Sequence, residues 1–270
     1  MVLKLIEFDA AEARAYPDAF ERLRSGELQA IIVHGVYPLD VMSSVVGRLE
    51  RHDPPFLQTW FPSKFRSWFF GRNLNLAKPG LEGYFDEAAL FHEQLEALFP
   101  PGLALSARIA GILSQLDGGR PFMAPPGPMP GQHYMFTTLR AHLEGGYIPV
   151  HFDNEQALVP SFAHLRSLVE LHMTSFVLTL AASEDGGALE VYDYRCEPAD
   201  AVLIRGDPWA KPAVEGLPSR SFRIPPGAMI VVDSGRYLHR VSPVQGPRKR
   251  WTACSFMALS RERDAMYCWG

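Results

Sequence analysis

Residues 135–152 of this 270-residue chain read MFTTLRAHLEGGYIPVHF, and the pattern of apolar residues here has a period of two. Successive side chains of an extended strand point to opposite faces, so this period is typical of strands and not of helices. The stretch predicts two short strands, Met135–His142 and Tyr147–Phe152. We therefore expect this half of the chain to be built around a sheet.

The same pattern continues toward the C-terminus, where turn sequences such as Asp185-Gly186-Gly187 and Pro225-Pro226-Gly227 separate further short runs. The predicted strands are Ser175–Ala181, Ala188–Tyr192, Ala228–Val232 and Trp251–Ala258. One helix, Ser161–Leu171, is expected to interrupt them, with Ser161 as its N-cap. Many short strands with little helix between them predict an antiparallel jelly-roll sandwich.

The first third of the chain instead has the residue spacing of amphipathic helices. The predicted helices are Leu39–Leu49, Asp86–Leu98 and Leu105–Leu116. One β-branched run, Gln29–His34, precedes them and predicts a strand. Between the first two helices, residues 60–85 are rich in aromatic side chains, which we interpret as core packing in preference to a substrate lid.

The predicted fold is α+β and mainly β, a double-stranded β-helix of the cupin-like jelly-roll type. We expect one domain over residues 1–270. Within it, residues 1–117 are expected to form a mostly helical cover with the first strand, and residues 132–260 the jelly-roll core.

Composition narrows the range of partners and locations. With 26 Lys and Arg against 30 Asp and Glu, the net charge of −4 gives no sign of binding to nucleic acid or to anionic membranes. The three cysteines have no metal-site or disulfide spacing, which fits a reducing cytoplasm. No apolar stretch reaches the roughly 18 residues needed to cross a bilayer. We therefore expect a cytoplasmic protein that binds neither nucleic acid nor a membrane.

Nucleotide-binding and nucleophile motifs are absent from the sequence, and a histidine–carboxylate pattern remains. His151 and Asp153 are two residues apart at the end of a predicted strand, so their side chains project from the same face. His239 follows the strand Ala228–Val232 and is the candidate for a third ligand. Two imidazoles and one carboxylate form the facial triad of non-haem Fe(II) oxygenases, although H-x-D alone also occurs at ordinary surface strand ends.

A short basic motif follows His239. Arg250 and Thr252 are predicted to share one face of the strand Trp251–Ala258. A guanidinium held inside an apolar barrel needs a carboxylate partner, and a dicarboxylate cosubstrate can supply one. Arg248 lies on the same nominal face, but we interpret it as a solvated turn residue. Arg140 is predicted either to pair with a nearby carboxylate or to meet a substrate anion, and the sequence does not separate the two.

Three further motifs accompany these residues. They are the Gly186-Gly187-x-Leu189 hairpin, Pro226-Gly227 before a hydrophobic strand, and His239-Arg240-Val241-x-Pro243-Val244 before Arg250-x-Thr252. The combination resembles the Fe(II)/2-oxoglutarate-dependent dioxygenase superfamily. More narrowly, residues 15–42, 131–154, 186–194 and 235–270 are similar to the carrier-independent aliphatic halogenases of cyanobacterial indole-alkaloid biosynthesis, so the likeness spans nearly the whole chain.

This resemblance implies Fe(II) bound by His151, Asp153 and His239, with 2-oxoglutarate and O2 as cosubstrates. Arg250, helped by Thr252, is implied to hold 2-oxoglutarate, and Tyr134 is a further candidate for touching it. In the halogenases a glycine at the carboxylate position leaves room for chloride, whereas this chain has Asp153. The resemblance therefore implies a hydroxylase that oxidises an unactivated aliphatic C–H bond of a small molecule and releases succinate and CO2.

Three alternatives remain at this stage. A halogenase that works despite Asp153 is the nearest. A zinc hydrolase is compatible with the same three ligands, but it gives Arg250 and Thr252 no role. The third is a non-catalytic jelly-roll that binds a metal or a small molecule.

Overall fold

The computed structural model describes residues 3–196 and 213–270, which contain helices α1–α5 and strands β1–β16. The helices are α1 Ala19–Ser25, α2 Leu39–Glu50, α3 Tyr84–Leu98, α4 Leu105–Gln115 and α5 Leu165–Leu168. The first eight strands are β1 Leu5–Asp9, β2 Ala30–His34, β3 Gln58–Trp60, β4 Ser67–Phe70, β5 Phe122–Met123, β6 Thr138–His142, β7 Ile148–His151 and β8 Thr174–Ala181. The others are β9 Asp185–Gly186, β10 Leu189–Arg195, β11 Ser219–Phe222, β12 Met229–Val232, β13 Tyr237–Val241, β14 Val244–Gln245, β15 Arg250–Leu259 and β16 Met266–Trp269. Within these ranges no helix has both the length and the apolar character needed to cross a bilayer.

Two sheets form the core of the fold. The larger runs β1-β2-β12-β8-β15-β6-β4-β3, with β16 and β5 attached beside β15. The smaller runs β11-β10-β13-β7, and its three strand pairs are all antiparallel. Strands distant in sequence are neighbours in both sheets, as in a jelly-roll. The predicted fold class is confirmed.

The larger sheet has two different faces. Alternate residues such as Leu178 and Trp251 point outward and join the main apolar cluster with the helices. Their neighbours point inward, where Val232 of the larger sheet packs with Val191 of the smaller one. This alternation follows from the pleat of the strands. The outer face is apolar and stabilises the fold, so the inner face is free to carry polar groups.

Most predicted elements are present with nearly the same bounds, including the Gln29–His34 strand, which is β2. The prediction missed strands β1, β3 and β4 in the first third of the chain. Strand β4 lies in the aromatic-rich stretch, where Trp68 and Phe70 are buried and support the interpretation as core. All four residues of β4 are buried, and such a strand lacks the period-two signal because both of its faces are covered.

The predicted helix Ser161–Leu171 was wrong. The segment forms a 3₁₀ turn and then the four-residue helix α5. The Ser161 hydroxyl donates to the Leu74 carbonyl at 2.8 Å and does not cap a helix. Val169 is extended and bridges to Ser260, so pairing with the end of β15 stops the helix.

Truncating Leu178 tests the outer face of the larger sheet. Leu178 is fully buried on β8, and we expect Leu178→Ala to lower the free energy of unfolding by about 2–5 kcal/mol because it leaves a cavity. Leu90 on α3 is 54% exposed, and Leu90→Ala should change stability by less than about 0.5 kcal/mol. Urea unfolding followed by circular dichroism measures both. Equal effects would contradict this description of the core.

Candidate metal centre

His151 and His239 come from two adjacent strands of the smaller sheet, the edge strand β7 and its neighbour β13. They are direct register partners across the antiparallel pair β7 and β13, and their ring centroids are 4.2 Å apart. Directly opposite residues in an antiparallel pair project to the same face. Two histidines that are 88 residues apart in the chain (239 − 151) are therefore brought together by backbone pairing.

Backbone carbonyls orient both rings. Nδ1 of His151 lies 2.7 Å from the Pro149 oxygen, and Nδ1 of His239 lies 3.0 Å from the Tyr237 oxygen. A carbonyl only accepts hydrogen bonds, so each Nδ1 must carry the proton and donate it. Nε2 of each ring is then left to face the other ligand atoms, and it can bind a metal when it carries no proton. Metal-binding histidines usually donate their other ring N–H to a carbonyl or carboxylate in this way.

Asp153 completes the cluster from the turn after β7. Its backbone N–H donates to the Ser234 carbonyl at 3.0 Å, which holds the residue beside β13. Oδ1 lies 3.4 Å from Nε2 of His151 and 3.6 Å from Nε2 of His239. Asp153 is 1% exposed, and its Oδ1 has no hydrogen-bond partner among the described residues. Three lone pairs therefore face one another in a buried space, which is unfavourable without a cation.

The protonation of these groups reflects that need for positive charge. Burial opposes ionisation of Asp153, but the attraction of His239 and His151 outweighs it and holds the pKa of the carboxyl well below its usual range. Burial likewise lowers the pKa of His239, but Asp153 raises it above the ordinary value. The carboxylate is ionised at neutral pH. A metal ion replaces the proton that the cluster otherwise attracts.

The donor set suits a non-haem iron. The metal-binding atoms of His151, Asp153 and His239 all lie within 4.8 Å of one another, and this is the one such group of three that the described residues contain. Two imidazole nitrogens and one carboxylate oxygen on one side of the ion make the facial triad, which leaves open positions for other ligands. The structure thus brings together the three ligands that the sequence predicted.

Arg250 and Thr252 lie where the sequence places them, on the inner face of β15. Arg250 is 7% exposed and is paired in register with His142 of β6. Within the described residues it has no hydrogen-bond or salt-bridge partner, although buried guanidinium groups are normally paired. Gly187 leaves room for it, since a Cβ there would lie 2.8 Å from Cδ of Arg250. Arg248 is exposed in the preceding bend, as predicted.

The contacts of Tyr134 do not support its predicted role. Its ring is buried in the outer cluster against Tyr84 and Phe85, and its hydroxyl is 3.0 Å from Nδ1 of His164. His172 lies after α5, and its Nε2 is 2.7 Å from Oδ1 of Asp233.

Sequence reasoning missed His142, a fully buried histidine on the inner face of β6. Neither of its ring nitrogens has a hydrogen-bond partner among the described residues. Burial lowers the pKa of His142 well below the usual value, and the positive charges of Arg140 and Arg250 act in the same direction. The available signal was its period-two spacing from Arg140, which puts both side chains on the face that carries Arg250.

Comparison with protein-family models identifies the family of this chain. The model for the carrier-protein-independent halogenase WelO5 matches residues 2–270. The chain belongs to this family. Its members use Fe(II) and 2-oxoglutarate, as the sequence motifs implied. A comparison with curated protein sequences found no significant match.

Solved structures agree with the fold. An N-substituted L-amino acid dioxygenase from Burkholderia ambifaria AMMD, in complex with α-ketoglutarate, superposes with a TM-score of 0.56 at 12% identity and covers 94% of this chain and 91% of its own. A prolyl hydroxylase from Trichoplax adhaerens, in complex with a hypoxia inducible factor peptide, gives a TM-score of 0.51 at 11% identity, with 94% and 93% covered. The WelO5-family chain is thus a non-haem iron oxygenase that uses Fe(II), 2-oxoglutarate and O2. Membership of this family argues against the zinc hydrolase and against the non-catalytic binding protein.

Removal of one ligand tests the centre directly. Loss of a group that only orients a metal ligand usually weakens metal binding 10–100-fold, so we expect His239→Ala, which removes a ligand itself, to weaken Fe(II) binding by at least about 100-fold. His34 is a matched control, because it pairs with Glu7 at 2.6 Å on the first two strands. Anaerobic dialysis followed by iron quantification measures both variants. Equal affinity in His239→Ala and His34→Ala would remove His239 from the site.

Proposed function

We propose that this member of the WelO5 family is a hydroxylase of an unactivated aliphatic C–H bond in a small molecule. In this proposal His151, Asp153 and His239 hold Fe(II), and Arg250 and Thr252 hold 2-oxoglutarate. Together with O2 the bound iron and 2-oxoglutarate supply the oxidant, and succinate and CO2 are released. The residues of the chain bind and orient these groups and exclude water.

One observation carries the proposal: the carboxylate of Asp153 lies next to the Nε2 atoms of both histidines. In the halogenases that this sequence resembles, glycine occupies this position and a halide takes the coordination place. Asp153 is buried and its Oδ1 is 3.4–3.6 Å from both Nε2 atoms, so a carboxylate fills that place here. A metal with three protein ligands and a chelating cosubstrate has no vacant place beside O2 for chloride.

The inner face of β15 supports the role of Arg250. The guanidinium is buried, cationic at neutral pH and without an anionic partner among the described residues. A carboxylate of 2-oxoglutarate would supply the missing charge through two parallel hydrogen bonds. Thr252 is fully buried two residues further along the same face, and its hydroxyl faces the same space.

A small-molecule substrate fits both the family and the site. The family is described as carrier-protein-independent, so its members act on substrates that are not tethered to a carrier protein. The metal ligands and Arg250 lie on inner faces of the two sheets, which also suits a free small molecule. Halogenation is the second candidate function, because the family takes its description from that reaction.

Stepwise anaerobic binding tests the cosubstrate site. Fe(II) and then 2-oxoglutarate are added to the apoprotein, and the weak visible charge-transfer band of the chelated cosubstrate is recorded. We expect the band in the wild type and much weaker 2-oxoglutarate binding in Arg250→Ala. Arg248→Ala, which removes the exposed arginine nearby, should match the wild type. The absence of a band in the wild type would overturn the proposed function.

Replacing the carboxylate separates the two candidate reactions. In Asp153→Gly we expect hydroxylation to collapse and a small amount of halogenated product to appear with chloride or bromide, because a coordination place is opened. Mass spectrometry of the product detects either outcome. Unchanged hydroxylation would show that Asp153 is not a ligand. Chlorinated product from the wild type at high chloride would favour the halogenase.

Gly187 tests how tightly the arginine is positioned. Its φ is +62°, and an added Cβ would meet both Cδ of Arg250 and Oγ of Ser183 at 2.8 Å. We expect Gly187→Ala to weaken 2-oxoglutarate binding more than Fe(II) binding. The control is Gly119→Ala, which has a φ of +89° but no atom within 4 Å of the added Cβ. If both variants bind 2-oxoglutarate equally well, Arg250 does not depend on this contact.

A further inference from the structure

Arg140 is a second cation on the inner face of the larger sheet. It lies on β6 and is the register partner of Thr252 on β15 and of Phe69 on β4. Register partners share a face, so Arg140 lies on the same side as Thr252 and Arg250. Its position is therefore inside the barrel and beside the proposed cosubstrate site.

The surroundings of Arg140 are aromatic and contain no anion that pairs with it. The guanidinium carbon lies 4.2 Å from the ring centroid of Phe69 and 5.0 Å from that of Phe61. Its Nε is buried and has no hydrogen-bond partner within the described ranges. No salt bridge joins it to a carboxylate there, Asp153 included. A buried donor of this kind is unfavourable when it stays unpaired.

Other partly buried arginines of the chain are paired. Arg24 makes two hydrogen bonds to Asp117, at 2.6 and 3.0 Å, and Arg240 binds Glu190 at 2.7 Å. Arg140 thus departs from what this chain does elsewhere, and it does so next to Arg250, which is also unpaired in the described residues. Two neighbouring cations repel each other in a weakly polar interior, so the pair indicates that anions bind there.

The charge of Arg140 persists at neutral pH. Burial lowers its pKa to about 10, and the neighbouring Arg250 acts in the same direction. The group still carries its proton when the enzyme works. His142, neutral and with both ring nitrogens unpaired among the described residues, lies two residues away on the same face of β6 and adds a hydrogen-bond donor.

We propose that Arg140 binds a second carboxylate inside the barrel, in addition to the one assigned to Arg250. The inference rests on the proposed function, because it takes Arg250 as the anchor of one end of 2-oxoglutarate. The second carboxylate belongs either to the other end of 2-oxoglutarate or to the substrate, which is then an organic acid. The flat guanidinium lies against the rings of Phe69 and Phe61, and its N–H groups can bind such an anion as a pair.

The first arm of the test measures 2-oxoglutarate alone. Anaerobic titration of the Fe(II)-loaded enzyme compares the wild type, Arg140→Met, Arg140→Lys and the control Arg248→Met. Methionine keeps the contact with the rings but removes the charge. If the carboxylate is that of 2-oxoglutarate, Arg140→Met should bind it roughly 10–100-fold more weakly. Arg140→Lys should recover part of the affinity, and Arg248→Met should be unchanged.

The second arm measures the substrate. Succinate release is followed with matched pairs of N-acyl amino acids and their primary amides, which share an aliphatic skeleton and differ only in charge. If the carboxylate is that of the substrate, the wild type should favour the acids. Arg140→Met should then raise KM for the acids at least about tenfold and leave 2-oxoglutarate binding intact.

The outcomes separate the two proposals. The inference is overturned if Arg140→Met binds 2-oxoglutarate like the wild type and the wild type shows no preference for any acid over its amide. A wild type that forms no charge-transfer band overturns the proposed function instead. Circular dichroism of Arg140→Met checks that the variant is folded, and Arg140→Lys supplies a charge-conserving comparison.

Discussion

The register between β7 and β13 is the constraint on which the site depends. It sets His151 directly opposite His239, and it leaves Asp153 at the first position where the chain turns away from the sheet. A slip of one residue would send one histidine to the opposite face, because side chains alternate along a strand. The Asp153 backbone bond to Ser234 and the two Nδ1 bonds to carbonyls then fix the direction of each donor atom. Strand pairing and backbone hydrogen bonds thus position all three candidate metal ligands.

The two faces of the larger sheet have different roles. The outer face stabilises the fold, and the inner face carries the polar groups of the proposed cosubstrate site. The outer face buries large apolar side chains such as Trp251 against the helices, and the Trp251 ring also donates to Glu50 at 2.6 Å. The inner face of the same strand carries Arg250 and Thr252. Because neighbouring residues in β15 point to different faces, the apolar cluster can hold the strand in place while the buried Arg250 has no anionic partner in the part of the chain that the structure describes.

Electrostatics inside the barrel follow from this division. Asp153 and the histidines form a cluster that attracts positive charge, whereas Arg140 and Arg250 attract negative charge. A dicarboxylate that also binds a metal complements both. Among residues 3–196 and 213–270, Arg140 and Arg250 have no anionic partner and Oδ1 of Asp153 has no hydrogen-bond partner. Unsatisfied buried groups lower the stability of the unliganded protein and are common at functional sites.

Much of this protein was determined by local sequence. The jelly-roll class, the helices α2–α4 and the main strands follow from periodicity, and sequence motifs made His151, Asp153 and His239 candidate ligands. Strand register brings His239 to the other two. Only the tertiary structure showed that Arg140 and Arg250 face the site without an anionic partner among the described residues. It also showed that the Tyr134 hydroxyl contacts His164, and that the helix ends after Leu168 because Val169 pairs with Ser260, the residue after β15. Those outcomes depend on strand register and on partners far away in sequence, and local spacing carries no information about either.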